Sequence, residues 1–163
     1  MKRKIWLVID MTILVVLILT GVRLFHDAKE HALNKIDTPI NLEITLKDVS
    51  LLSNQSVGDS WETGLKVNEH KLQVGNTLVL ESFIDEEITF NAGAVEHDNI
   101  PDVGTSNYLL KVSDLNLAEE NLLEMDVSVK ENRGRYSGNY ARFEFLISIK
   151  RKVDFYSIIQ ELI

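Results

Sequence analysis

Two stretches, LLEMDVSV at residues 122–129 and YARFEFLISI at residues 140–149, share a period of two. In the first, Leu123, Met125, Val127 and Val129 alternate with Glu124, Asp126 and Ser128; in the second, Ala141, Phe143, Phe145, Ile147 and Ile149 recur at every other position. Successive side chains of an extended chain point to opposite faces, so each stretch reads as a strand with one oily face. RGRYSGN, residues 133–139, joins them. The three pieces together read as a long antiparallel hairpin.

The same period runs upstream. In INLEITLKDV, Ile40, Leu42, Ile44 and Leu46 face one way and Asn41, Glu43, Thr45 and Lys47 the other, a half-buried strand. In KLQVGNTLVLESF, Gly75-Asn76 sits between two apolar runs and reads as a two-residue hairpin turn. Ile88 and Phe90 in EEITFNA and the run NYLLKV add further strands. At the C-terminus, VDFYSIIQELI sets Phe155, Ile158, Ile159 and Leu162 on one face of a short helix, with Asp154 as its N-cap. The expected fold class is mainly β: one antiparallel β-sandwich or partly open barrel of seven or eight strands, with a short C-terminal helix and an N-terminal transmembrane helix.

That last helix is read from MKRKIWLVIDMTILVVLILTGVRLF, residues 1–25. Its apolar run has about the twenty residues needed to cross the bilayer core, and the exit LTGVRLF is a poor cleavage site, so residues 1–25 read as an uncleaved signal-anchor. Lys2, Arg3 and Lys4 cluster at one end while Arg23, Lys29 and Lys35 are spread along the other, which favours an extracytoplasmic C-terminal domain. Residues 26–38 keep helical spacing through Ala28, Ala32 and Ile36 as a stalk that Pro39 ends. Residues 39–163 are then the extracytoplasmic β-rich domain. Asp10 stands inside the oily run, where a central charge costs ~2.5–3.5 kcal/mol; it reads either as a contact with a partner helix or as a tolerated polar residue.

Charge and composition narrow the chemistry. The first 25 residues carry four basic side chains against Asp10, a net of +3, which leaves −11 for the rest of the chain. So acidic a domain repels nucleic acid. There is no cysteine, hence no disulfide, thiol nucleophile or thiolate metal site. His26, His31, His70 and His97 are scattered, with no metal-ligand spacing, nucleophile elbow or phosphate loop around them. The expectation is a non-enzyme without cofactor. Glu96, Asp98, Asn99 and Asp102 in VEHDNIPDVG offer calcium-type oxygens, but the spacing is not that of an EF-hand and turn chemistry accounts for the composition, so no metal is assigned.

The most suggestive loop is the hairpin end. Arg133, Arg135 and Arg142 gather there with Tyr136 and Tyr140. Guanidiniums grip carboxylates or phosphates through paired hydrogen bonds and tyrosine stacks on sugar rings, which suits an anionic envelope polymer or an acidic protein. The competing reading pairs these arginines with acids of their own domain.

Four stretches, KIWLVIDMTILVVLIL, KDVSLLSNQSVGD, VNEHKLQVGNTLVLES and ITFNAGAVE, resemble an uncharacterised family of short bacterial proteins, a domain of unknown function. In that family an N-terminal membrane helix precedes a small β-rich outer domain. The likeness covers about the first 95 residues and rests on apolar alternation and glycine placement; RGRYSGNYARFEF lies beyond it. The resemblance implies architecture and no catalytic residues.

The expected function is a membrane-anchored extracytoplasmic binding or assembly module of the bacterial envelope, whose partners are the bilayer and an envelope polymer or second membrane protein. The alternative is a structural subunit of a multi-protein membrane complex, held through the anchor and stalk. Asp10→Leu separates them. For a loop-borne binding module the set of membrane proteins co-purifying from extracted membranes stays unchanged; loss of that set selects the subunit.

Overall fold

The computed structural model describes residues 39–152 other than Asn99, together with Thr20 and Arg23, which are helical. The rest of the apolar run and stalk, Asp10 and the expected C-terminal helix over residues 153–163 lie outside the described residues. Among the described residues no helix is long and apolar enough to cross a membrane.

Among the described residues eight strands follow in order: β1 (Ile40–Asn54), β2 (Trp61–Val67), β3 (His70–Leu72), β4 (Thr77–Ser82), β5 (Glu87–Glu96), β6 (Asp102–Lys111), β7 (Asn121–Lys130) and β8 (Tyr140–Arg151). They form two antiparallel four-stranded sheets, β4-β1-β8-β7 and β3-β2-β5-β6, with no closed barrel. The 122–149 hairpin forms as its alternation requires: Asn121 pairs with Ile149 and Lys130 with Tyr140. Met125, Val127, Val129, Ala141, Phe143, Phe145, Ile147 and Ile149 are all buried. Ile40, Leu42, Ile44 and Leu46 of β1 join them, and Leu65, Val67, Ile88, Phe90, Ala92 and Ala94 of the other sheet complete one hydrophobic cluster. Burial at roughly 25 cal/mol per Å² of apolar surface is what holds the inner faces together.

Gly75-Asn76 is not a hairpin turn. β3 pairs with β2, Val67 opposite His70, whereas β4 pairs with β1, Thr77 opposite Thr45, so the runs on either side of the turn belong to different sheets. The turn itself is real: Asn76 N–H donates to the Gln73 carbonyl at 3.0 Å with Gly75 at φ +84°, the positive φ that a type II turn needs at its third position. Gly75 N–H, however, donates to the Leu46 carbonyl of β1 at 2.8 Å. That bond carries the chain across to the first sheet. The two-residue hairpin sits earlier, at Asn68-Glu69, with Asn68 at φ +50°.

The strand directions give the domain two distinct ends. β1 begins where β8 finishes, Leu42 opposite Arg151, and Lys152 N–H donates to the Asn41 carbonyl at 2.7 Å. At the other end lie three connections: 55–60 between β1 and β2, 97–101 between β5 and β6, and 131–139 between β7 and β8. The edge strands β6 and β7 approach one another without a ladder, linked by Asn132, just past the end of β7, whose side-chain amide donates to Oδ1 of Asp102, the first residue of β6, at 2.8 Å.

Candidate functional site

The 131–139 loop is built rigidly. Glu131 N–H donates to the Asn139 carbonyl at 2.9 Å and Gly138 N–H to the Glu131 carbonyl at 2.8 Å, closing its stem. A turn closed by Asn139 N–H on the Tyr136 carbonyl at 3.0 Å folds the tip, with Gly134 at φ +75° and Gly138 at φ +97°, where side chains with a Cβ are strained. Gln55 of the neighbouring connection ties it down: its N–H donates to the Tyr140 carbonyl at 3.0 Å, its Oε1 accepts from Tyr140 N–H at 3.3 Å, and its carbonyl accepts from the Asn139 amide.

On this frame Arg135 stacks 5.8 Å from the centroid of Tyr136, and Lys130 lies 5.9 Å from that of Tyr140. Both rings are nearly half exposed, at 48% and 44%. Among the described residues neither the Arg133 nor the Arg135 guanidinium forms an ion pair; Arg133 contributes only its backbone N–H, to Glu131 Oε1 at 3.4 Å. Arg142 is different. It lies on β8 and clasps Asp126 through Nε at 3.1 Å and Nη2 at 2.7 Å. That fork holds the Asp126 carboxyl below the usual carboxylate range and keeps Arg142 still more firmly protonated. The self-pairing reading therefore applies to Arg142 and leaves Arg133, Arg135, Tyr136 and Tyr140 as the exposed group.

Beside this loop lies an acidic group. Glu96 and Asp102 are not loop ligands but opposed strand residues, the last rung of the β5–β6 ladder, and both are buried. Glu96 is 3% exposed and its Oε2 has no hydrogen-bond partner. Burial, reinforced by Asp98, Glu131, Asp102 and Asp59, pushes its carboxyl above the usual range. Its cross-strand neighbour Trp61, edge-on to Phe143 with centroids 4.9 Å apart, has a buried Nε1–H that likewise lacks a partner. Among the described residues no three acidic or histidine side chains converge as a metal set. His97 Nε2 lies 3.0 Å from Glu62 Oε2.

Glu96 reads in the sequence as one of the turn residues of VEHDNIPDVG, although the period that buries Ile88, Phe90, Ala92 and Ala94 carries straight on to position 96 and is the signal that places it. The role of Gln55 had no such signal, because it depends on which two connections share an end. Neither a protein-family model nor a curated protein sequence matches the chain. The residues at this end must therefore speak through their chemistry alone. Two guanidiniums without an acid partner among the described residues, beside half-exposed tyrosines, have the donor geometry to hold planar or tetrahedral oxyanions.

Proposed function

We propose that the chain is a non-catalytic, membrane-anchored binding module of the bacterial envelope, with a β-sandwich head that holds an anionic envelope polymer or acidic protein at the 131–139 loop. The anchor and its extracytoplasmic orientation are supported by the apolar run and the clustered Lys2, Arg3 and Lys4. The family resemblance of the first 95 or so residues agrees with that layout. The observation that carries the binding reading is the contrast between Arg142, engaged by Asp126, and Arg133 and Arg135, which have no acid partner among the described residues. In a domain rich in carboxylates, two guanidiniums without an acid partner among the described residues, at the end of the sheet opposite the start of β1 and the finish of β8, are available to an outside anion.

The test is retention of the intact, detergent-extracted chain on immobilised polygalacturonate and on polyglutamate at low salt. Each charge-assisted hydrogen bond is worth ~1.5–3 kcal/mol, so Arg133→Ala with Arg135→Ala is expected to weaken binding at least tenfold, roughly 1.4 kcal/mol or more. Arg142→Ala leaves it unchanged. Equal retention of the wild type and the double variant on both matrices would refute the assignment.

A further inference from the structure

Glu96 presents a problem that the proposed binding role does not solve: a carboxyl 3% exposed, without a hydrogen-bond partner for Oε2, in a field of other carboxylates. The charged groups acting on it come from every element around it. Asp59 stands in the β1–β2 connection, Asp98 just past β5, Asp102 opposite on β6 and Glu131 at the root of the 131–139 loop, and each is acidic. Trp61 on β2 faces it without bonding to it, and Asp102 is occupied by Asn132. Among the described residues no positive charge or hydrogen-bond donor reaches Glu96 Oε2, and an uncompensated buried charge is among the costliest features a fold can hold.

The lid over this acid is Gly58. A Cβ at that position would stand 2.3 Å from Glu96 Oε1 and 2.5 Å from its Cδ, so the glycine backbone rests directly on the carboxyl group. The lid is pinned by Asn54, whose Oδ1 accepts from Val57 N–H at 2.9 Å and whose amide donates to the Gly58 carbonyl at 2.6 Å. One residue from Asn54, Gln55 holds the 131–139 loop. Displacing Gly58 therefore loads the same connection that fixes the arginine loop.

We propose that Glu96 is a proton-operated latch: while it is protonated, the 55–60 connection lies closed over it, and loss of the proton opens that connection and frees the 131–139 loop. The latch does not depend on what the loop binds. Its sign follows from the upward displacement of the Glu96 pKa. A carboxyl that holds its proton more tightly folded than unfolded stabilises the closed form at low pH, and this contribution is lost as pH rises through the folded-state value.

The test is amide hydrogen exchange of the intact chain across a pH series, corrected for intrinsic exchange and compared with Glu96→Gln, which keeps the shape and cannot ionise. In the wild type, protection of 55–60 and 131–139 is expected to fall by up to about tenfold per pH unit from the ordinary carboxylate range up to the Glu96 transition and to level off above it, while the ladder amides of β8 stay protected. In the glutamine variant both loops stay protected throughout. Direct titration of the wild-type Glu96 carboxyl carbon by NMR covers the case in which that variant misfolds, and must give a transition above the usual carboxylate range. Three results would overturn the proposal: protection independent of pH in the wild type, the same loss of protection in Glu96→Gln, or closure restored at high pH by millimolar calcium, which would make the latch a cation site.

Discussion

Phe145→Ala is expected to lower the unfolding free energy by about 3–5 kcal/mol, the range for truncating a buried aromatic side chain. Phe145 lies at the middle of β8, a central strand of its sheet, opposite Met125 of β7 on one side and Val49 of β1 on the other. Its side chain is 0% exposed. Both neighbours are anchored in ladders, so the site cannot collapse to fill the space, and the cost includes the void as well as the lost transfer energy. Against the ~5–15 kcal/mol that holds a typical domain together, this loss is severe. Urea denaturation of the intact chain in detergent, followed by circular dichroism, should show the midpoint moved to lower urea with the slope kept. Leu122→Ala, at a side chain 62% exposed on the neighbouring strand, should shift it by no more than ~0.5 kcal/mol. Equal effects at the two positions would mean that the inner and outer faces are misassigned.

The contrast between those positions was available from alternation alone, since Phe145 shares its parity with Phe143 and Ile147 while Leu122 falls on the opposite parity from Leu123 and Met125. Period two reports the face of a strand, and for β1, β5, β7 and β8 it did so correctly. It does not report which strand lies beside which. That is why Gly75-Asn76 looked like a hairpin although Gly75 gives its N–H to Leu46, 29 residues earlier in the chain. The candidate site divides in the same way. Arg133, Arg135, Tyr136 and Tyr140 were visible because they are neighbours in sequence. The fate of Arg142 turned on a diagonal contact with Asp126 of β7, and the group of Asp59, Glu96, Asp102 and Glu131 is drawn from two connections and two strands. Charge counting foretold that many carboxylates would be present. It could not foretell that one of them would be shut in without a partner.

Gly104→Ala tests how the two sheets meet. Gly104 is on the inner face of β6, and an added Cβ would fall 2.3 Å from the Ser128 carbonyl oxygen and 2.9 Å from Val129 Cγ2 on β7. The first of these atoms is backbone, held by the pairing of Ser128 with Arg142 in the ladder. No side-chain rotation relieves the clash, so either β6 is pushed off β7 or the β7–β8 ladder distorts. Overpacking of this kind costs typically 1–3 kcal/mol and occasionally more, and a rigid backbone on the far side puts Gly104 at about 3 kcal/mol. Gly64→Ala is the control: it lies in the same sheet, its added Cβ meets nothing within 4 Å, and only the small conformational difference between glycine and alanine remains. Denaturation of both variants should separate them by ~2 kcal/mol or more, and hydrogen exchange in Gly104→Ala should rise first at Asp102 and Asn132, where β6 and the 131–139 loop are joined. A neutral Gly104→Ala would mean that these edge strands stand apart, and the link from the ladder end at Glu96 to the arginine loop through Asn132 would go with it.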